Sequence, residues 1–317
     1  MSSDREQNAE RPEGLRHAVA FLLLLLFSGC SEDPTGPVLN VASVKHHAMR
    51  ADGPKIPAPR GMTTGPDDSV YVLDNGGRVL VYSSEGEMKN SWHMPEYDVG
   101  RPEGICIFKD GRIAVADTHY HRVVFFDKSA TGKVESLLGK EGQGTTEFIW
   151  PVAVIQDPSE NFYVSEYGGD NRIQKFSVDG KFIKQWGGNG TDPGKFQRPS
   201  GMVWHDGKIY TADAFNNRIQ VFTDDGDYIG MLGGDTNAAS LHYPYDITRS
   251  KAGDFYVVEY GANRVTKLSG DGKLLGRFGS TGGGEGQFLT PWGLTIDSRD
   301  RIWVADTGNR RVVELRQ

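Results

Sequence analysis

Two histidines that stand two positions apart, His119 and His121, are the residues of this sequence whose type and spacing come closest to a metal site. Side chains two positions apart on a β-strand point to the same face, so one strand could present both rings. A catalytic zinc ion takes three protein ligands, and no third ligand is evident beside this pair. The two histidines alone therefore do not predict a zinc enzyme.

Other catalytic chemistry finds little support in the sequence. A serine or cysteine nucleophile would need an elbow motif and a paired base, and neither is present. The glycine-rich stretch 282–286 follows a predicted outer strand, so we interpret it as a linker and not as a phosphate-binding loop. Cys106 lies in an apolar stretch and is predicted to be a small buried hydrophobic residue.

Six copies of one unit must position any residues that bind or react. Each copy has a proline-led strand, an Asp-Gly-type turn, a second strand that ends in Asp or Glu, and an arginine that opens a third apolar strand. The six arginines, spaced by 44, 50, 46, 46 and 47 residues, are Arg78, Arg122, Arg172, Arg218, Arg264 and Arg311. This period is typical of propeller blades. We therefore predict an all-β, six-bladed β-propeller of four-stranded antiparallel blades.

The strands within each copy differ in their apolar patterns. The second strands are apolar on both faces, as expected for strands between two neighbouring sheets; they occupy 70–74, 113–117, 162–166, 209–213, 255–259 and 302–306. The third strands alternate more clearly, which predicts that one of their faces meets solvent.

The sixth copy has no outer strand of its own, because the chain ends at Gln317, soon after Arg311. An apolar segment at 38–44 precedes the first copy. We predict that this segment pairs as the missing strand and closes the ring, since an open blade would present an unpaired edge.

Two stretches resemble NHL repeats: Asp-Thr and Arg-Val within 117–123, and Asn-Asn-Arg-Ile-Gln-Val-Phe at 216–222, followed by Asp-Gly. The resemblance covers residues 60–317 and implies the six-bladed propeller. It does not imply one function, because that family includes enzymes, sensor domains of receptors and scaffold modules.

The acidic residue that ends each second strand and the following arginine recur in all six copies. We interpret them as structural pairs that hold the intervening loop, and not as a ring of metal ligands. The pairs are Asp74 with Arg78, Asp117 with Arg122, Glu166 with Arg172, Asp213 with Arg218, Glu259 with Arg264, and Asp306 with Arg311.

Residues that differ between the copies are the candidates for ligand binding. The start of each first strand and the loop after each second strand should share one rim of the propeller. The candidates there are Arg60, Glu103, His119, Tyr120, His121, Trp150, Phe215, Tyr243, Tyr245, Asp246 and Trp292. The aromatic side chains among them are typical of interaction sites, although several could instead fold inward between blades. Tyr167 and Tyr260 belong to a doubled Glu-Tyr-Gly motif, which favours a structural role.

The resemblance also leaves metal-dependent enzymes open. Some similar propellers are peptidyl-hydroxyglycine amidating lyases, which hold zinc through histidines of several blades beside an arginine and a tyrosine. Arg60 and Tyr245 could imitate the latter two, but the first strands here begin without histidine. Lactonase-type propellers hold calcium through Glu, Asn and Asp, and Glu103 and Asp246 are the carboxylates at such positions. We predict no cofactor, with a channel zinc or calcium ion as the alternative.

The N-terminus is predicted to be an export signal. A basic flank precedes an apolar core at 18–27 and the sequence Ser-Gly-Cys that ends at Cys30. This core is shorter than the ~20 residues that span a membrane. The ending resembles the lipobox of bacterial lipoproteins, which implies lipid attachment at Cys30, although Phe27 stands where that pattern has an aliphatic residue. We predict a signal peptide at 1–29, a tether at 30–37 and the propeller at 38–317.

The net charge of −7 argues against a nucleic-acid partner. We predict a monomeric, non-catalytic propeller, lipid-anchored in the bacterial cell envelope, whose rim binds a protein, peptide or glycan. The alternatives are a zinc lyase, a calcium lactonase, or a rigid spacer in a larger assembly.

Overall fold

The computed structural model describes residues 36–51, 53, 55–99, 101–233 and 239–317. The predicted signal peptide, the lipid-attachment residue Cys30 and most of the predicted tether lie outside these residues. The strands are β1 (Ser43–Ala48), β2 (Pro59–Thr64), β3 (Val70–Asp74), β4 (Arg78–Tyr82), β5 (Met88–His93), β6 (Gly104–Ile107), β7 (Ile113–Asp117), β8 (Arg122–Phe126), β9 (Val134–Leu138), β10 (Trp150–Gln156), β11 (Phe162–Tyr167), β12 (Arg172–Phe176), β13 (Phe182–Gly187), β14 (Pro199–His205), β15 (Lys208–Asp213), β16 (Arg218–Thr223), β17 (Tyr228–Gly233), β18 (Pro244–Arg249), β19 (Phe255–Glu259), β20 (Arg264–Leu268), β21 (Leu274–Phe278), β22 (Ser280–Thr281), β23 (Gln287–Phe288), β24 (Leu294–Ile296), β25 (Ile302–Asp306) and β26 (Arg311–Arg316).

Six four-stranded antiparallel sheets form the blades of a propeller, which confirms the predicted fold. The first five blades use consecutive strands: β2–β5, β6–β9, β10–β13, β14–β17 and β18–β21. The sixth has the order β24-β25-β26-β1, so its outer strand comes from the other end of the chain. Helical structure among the described residues consists of the short 3₁₀ turns Thr118–Tyr120 and Ala214–Asn216, and no helix there is long and apolar enough to span a membrane.

The hydrophobic core lies between the blades. Buried apolar side chains form six clusters, and each cluster combines residues of two neighbouring blades. A phenylalanine from the connection before blades three, four and six fills three of these interfaces: Phe148, Phe196 and Phe288 are at most 1 % exposed. Both faces of the inner strands are therefore covered, as their continuous apolar pattern predicted.

The ring is closed by the N-terminal strand, as predicted, but with different boundaries. The strand that pairs with β26 is Ser43–Ala48, with Ser43 opposite Arg316 and Ala48 opposite Arg311. The predicted segment 38–44 was placed too early. Leu39 instead donates a backbone hydrogen bond to the Arg277 carbonyl and packs into the cluster between blades five and six. Leu39 thus fills a gap beside blade five before the chain reaches blade six, whereas Val38 is exposed.

Each repeated acid and arginine form an ion pair within one blade. The N···O distances range from 2.5 Å in Asp74–Arg78 to 3.0 Å in Asp117–Arg122. In blade three, Arg172 also donates to the carbonyls of Gln143, Gly144 and Glu147, so it fixes the connection from the previous blade.

Blade two departs from this arrangement. Besides its bond to Asp117, Arg122 reaches the exposed Glu96 at 3.2 Å, and its Nη2 has no hydrogen-bond partner in the described part of the chain. Burial raises the pKa of Asp117 to about 6. The second blade therefore holds its preceding connection less tightly than blade three does.

The third strands are buried on both faces, so the prediction of a solvent-facing side was wrong. All five residues of β12 are buried, including Gln174, which is fully buried. Its amide donates to the Glu147 carbonyl and to Glu166. In β12, the polar residue Gln174 thus serves the acid–arginine pair instead of meeting solvent.

The first strands approach each other closely around the axis. A Cβ atom at Gly61 would lie 2.1 Å from the Glu103 carbonyl oxygen, and one at Gly293 would lie 2.4 Å from that of Arg60. Four blades have glycine at this position, whereas blade three has Ala153 and blade five has Asp246. The exceptional residue of blade five thus places a carboxylate where other blades have no side chain.

Removal of the closing strand tests how the ring is held. A chain that begins at Ala51 should unfold at a temperature at least about 10 °C lower than a chain that begins at Gly36. Blade six then exposes an unpaired edge, and the interface between blades six and one loses Met49. Circular dichroism melting measures the difference. Equal melting temperatures would show that β1 contributes nothing to closure.

The acid–arginine pairs differ in strength between blades. Arg172→Met should destabilise the fold by about 3–5 kcal/mol, because it leaves the buried Glu166 carboxylate without its counter-ion. Arg122→Met should cost clearly less, since Arg122 makes fewer contacts to the preceding connection. Urea unfolding of both variants checks the order, and the reverse order would contradict this interpretation.

Candidate functional site

Side chains from several blades meet at one end of the channel, which we call the mouth. Four of them follow the prolines that open first strands: Arg60, Glu103, Tyr245 and Trp292. The Arg60 guanidinium lies 4.2 Å from the centre of the Trp292 ring, and the Tyr245 and Trp292 rings are 4.3 Å apart. The structure therefore brings together residues that are up to 232 positions apart in the sequence.

A chain of hydrogen bonds crosses the mouth. Arg60 Nη1 donates to Glu103 Oε1 at 2.7 Å, and the Tyr245 hydroxyl donates to Glu103 Oε2 at 2.8 Å. Arg198 Nη2 donates to the Tyr245 hydroxyl at 3.0 Å. Arg60 Nε donates to Asn75 Oδ1 at 2.6 Å. Two cationic groups are thus linked through one carboxylate and one phenol.

Arg198 is the residue of the mouth that the sequence interpretation missed. It stands immediately before Pro199, the position that Trp150 and Tyr243 occupy in blades three and five. That shared position is the signal that could have found it. The Arg198 guanidinium lies 4.0 Å from the centre of the Tyr167 ring and 5.8 Å from that of Phe215.

Arg198 also lacks an anionic partner. Within the described ranges it forms no ion pair, and its Nε is buried without a hydrogen-bond partner. Arg60, by contrast, is neutralised by Glu103 at 2.7 Å. The two arginines of the mouth are therefore electrostatically different.

The aromatic candidates divide between buried and exposed positions. Tyr245 is only 4 % exposed, so it is one of the candidates that fold inward between blades. Its hydroxyl is held by Glu103 and Arg198, and its ring joins the cluster of blades five and six. Phe215 is 58 % exposed and stacks on Tyr243 at 5.1 Å. Trp150 is 37 % exposed and contacts Tyr167 at 5.1 Å. The mouth thus presents an apolar outer edge above a polar floor.

The candidates from blade two lie at the margin of the mouth. His119 Nδ1 accepts a hydrogen bond from the Arg101 amide at 3.3 Å, and burial lowers the pKa of His119, so its ring is neutral at pH 7. The Tyr120 hydroxyl accepts from the Val99 amide. The ring of His121 contacts the Ile149 carbonyl. The two histidines therefore have separate partners and do not share one strand face.

Asp246 lies in the channel and not on the rim. The channel has a volume of about 140 Å³ and is lined by the six first strands. The Asp246 carboxylate accepts hydrogen bonds from the amides of Leu294 and Ile247, and burial raises its pKa to about 7. Cys106 also lines the channel, and burial raises the pKa of its thiol to about 12, which leaves it unreactive at neutral pH.

A zinc or calcium ion of the kind that similar propellers suggest would need several ligands at the channel. In the part of the chain that the structure describes, no three His, Cys, Asp or Glu side chains lie close enough to hold a metal ion. Glu103 is engaged by Arg60 and Tyr245, and the Asp246 carboxylate is held by the amides of Leu294 and Ile247. These residues do not fit a channel metal site.

Tyr245 couples the two halves of the mouth through its hydroxyl, and this coupling can be measured. Tyr245→Phe should lower the free energy of unfolding by about 1–3 kcal/mol, because Glu103 loses a buried hydrogen bond and Arg198 loses a partly buried one. Tyr243→Phe is the matched control, since its ring packs in the same cluster and the chain from Glu103 to Arg198 stays intact. If both variants unfold alike in urea, the hydroxyl has no such role.

Comparison with known proteins is consistent with this architecture. The NHL repeat family matches residues 100–126 and 288–315. Peptidylglycine alpha-amidating monooxygenase of Rattus norvegicus is 31 % identical over 167 residues, which is 50 % of this chain and 16 % of that protein. NHL repeat-containing protein 3 of Mus musculus is 29 % identical over 165 residues, or 46 % of either chain. The chain thus spans about one sixth of the length of the amidating relative.

Solved structures share the fold at low sequence identity. A streptogramin B lyase aligns with a TM-score of 0.63 and 16 % identity, over 86 % of this chain and 97 % of the other. A gluconolactonase of Xanthomonas campestris aligns with a TM-score of 0.64 and 14 % identity, over 90 % and 99 %. At these identities the likeness concerns the fold alone. The chain is therefore a six-bladed β-propeller, and stretches of its second and sixth blades match the NHL repeat family.

Proposed function

We propose that this propeller is a binding protein whose mouth takes an organic anion, with a carboxylate against Arg198 and an apolar group against the exposed aromatic edge. The single observation that carries the proposal is the uncompensated guanidinium of Arg198. A peptide with a free C-terminal carboxylate is the ligand class that combines both features.

The environment of Arg198 is costly without a ligand. A half-buried charge loses part of its hydration, and such charges in proteins are normally paired. Arg198 has aromatic faces and one phenol as neighbours, and its buried Nε has no partner in the described residues. A ligand carboxylate would supply the missing counter-charge, and guanidinium groups bind carboxylates in a two-bonded geometry.

The outer edge of the mouth suits the apolar part of such a ligand. Trp150 of blade three and Phe215 of blade four are exposed there, and Arg198 stands at the start of blade four. Exposed aromatic side chains that surround a polar anchor are typical of binding sites. The charge of Arg198 favours an anionic peptide over a neutral glycan.

The amidating relatives support a peptide ligand. Their names record action on peptidyl-glycine, and the matched region covers half of this chain. The residues here do not fit the metal site that an enzyme of the zinc or calcium type would use. We therefore propose binding as the first candidate function and catalysis as the second. Metal analysis of the purified protein separates the two, because stoichiometric zinc or calcium would favour the enzyme.

We further propose that the protein acts outside the cytoplasm as a monomer anchored by a lipid on Cys30. The apolar core at 18–27 and the Ser-Gly-Cys sequence support this location. More than one acyl chain is needed for stable anchoring, and lipoprotein-type modification of the cysteine provides them. Labelling with a fatty acid in cells would detect the lipid, and Cys30→Ser should abolish it.

The central experiment compares a free acid with its amide. Wild-type protein should bind N-acetylphenylalanine at least about tenfold more tightly than N-acetylphenylalanine amide, because only the acid neutralises Arg198. Arg198→Gln should remove the difference by weakening acid binding. Isothermal titration calorimetry measures all four affinities.

Arg299→Gln is the control for this experiment. Arg299 is an exposed arginine of the turn between β24 and β25, where it pairs with Glu85. Its loss changes the net charge by the same amount without touching the mouth, so the preference for the acid should persist. Equal affinities of acid and amide for wild-type protein would refute the proposed function.

A further inference from the structure

We propose that the Glu103 carboxylate fills a second anion position of the mouth, between Arg60 and Tyr245. By filling it, Glu103 restricts the mouth to ligands with one negative group. This inference rests on the proposed function, since it concerns the charge selectivity of the same mouth. It assigns a specificity role to a residue that binds no ligand atom itself.

The geometry around Glu103 is that of a bound carboxylate. One oxygen accepts from Arg60 Nη1 at 2.7 Å and the other accepts from the Tyr245 hydroxyl at 2.8 Å. Both donors come from other blades, and Glu103 is 5 % exposed. A guanidinium and a phenol that converge on one carboxylate would serve a ligand carboxylate equally well.

The repeats provide an internal comparison. The residue after the first-strand proline is Arg60, Glu103, Val152, Ser200, Tyr245 or Trp292 in the six blades. Blade two alone has an acid there. The fold of a blade therefore does not require a carboxylate at this position, so its presence follows from the chemistry of the mouth.

The pKa values of the tyrosines in the mouth report whether a negative charge is stabilised there. Burial first, and then the charge of Glu103, raise the pKa of Tyr167 and of Tyr245, while Arg198 acts in the opposite direction. Burial also raises the pKa of Tyr243 to about 12, with a smaller contribution from Glu103. A phenolate is an anion fixed at the wall of the mouth. The charge of Glu103 therefore disfavours a negative group beside Tyr167 of blade three and Tyr245 of blade five, whereas the charge of Arg198 favours one.

The balance of charges sets the selectivity. Arg60 is neutralised by Glu103, which leaves the charge of Arg198 for a single ligand carboxylate. A second ligand carboxylate would have to displace Glu103 or lie beside it. Two like charges that lie side by side inside a protein repel each other strongly, even at an effective dielectric constant of about 20.

A test on unmodified protein compares two ligands of similar shape. Benzylsuccinate carries two carboxylates and 3-phenylpropanoate carries one. At pH 7.5 the wild type should bind the dianion no more than about threefold more tightly than the monoanion. Two available arginines would instead favour the dianion by at least about tenfold. A preference of that size for benzylsuccinate in wild-type protein would overturn the inference.

The variant Glu103→Gln then removes the charge and keeps the shape of the side chain, with one amide oxygen that can accept from Arg60 and an amide nitrogen that can donate to the Tyr245 hydroxyl. It should bind 3-phenylpropanoate at least about tenfold more tightly, and benzylsuccinate should gain more. Glu96→Gln is the matched control, because Glu96 is a carboxylate of the connection before blade two that is 59 % exposed and pairs with Arg122. Its effect should stay below about twofold. Circular dichroism melting verifies that each variant is folded.

The outcomes separate the two proposals. If wild type binds the monoanion in an Arg198-dependent manner and Glu103→Gln binds it no better, Glu103 only positions Arg60, and the inference fails while the proposed function stands. If neither protein binds either acid, the anion-binding function itself fails. If only Glu103→Gln prefers the dianion, the inference is supported.

Discussion

The close approach of the six first strands around the axis is the constraint on which the rest of the structure depends. Four blades have glycine two residues after the proline that opens the first strand. A Cβ atom added at these glycines would lie within about 2–3 Å of the neighbouring backbone. This packing leaves a narrow channel and directs the residue before this position, which is glycine in four blades and Asp246 in blade five, towards the mouth. It explains why Arg60, Glu103, Tyr245 and Trp292 meet although they belong to four blades. It also explains why Asp246, which replaces a glycine, stands inside the channel.

The repeats sort polar residues into two groups. Acids and arginines that recur in every blade form ion pairs, and in blade three the arginine also binds the connection between blades. Their charges are balanced within each unit, so they stabilise the ring and offer nothing to a ligand. The residues that vary form the mouth, where the balance fails at Arg198. In a low-dielectric site an unbalanced charge is the feature that an incoming molecule can best exploit.

The fold is shared with lyases and lactonases, yet the mouth of this chain has its own chemistry. Solved structures of those enzymes match it over most of their length at 14–16 % identity, which carries the architecture and not the site. The residues here form an arginine–glutamate–tyrosine–arginine chain beneath exposed aromatic rings. We propose that this arrangement recognises an anion, while the channel carboxylate of Asp246 accepts hydrogen bonds from the amides of Leu294 and Ile247.

The amino-acid sequence alone determined the blade count, the acid–arginine positions, the order of strands and the need for an N-terminal strand to complete blade six. These features depend on local period and pattern, which repeat six times and therefore reinforce each other. The tertiary structure decided which variable residues meet. It buried Tyr245, separated His119 from His121, moved the closing strand to Ser43–Ala48 and added Arg198 to the site. Contacts across a ring join residues from different blades, and their distances depend on how closely the strands pack at the axis, which no local pattern records.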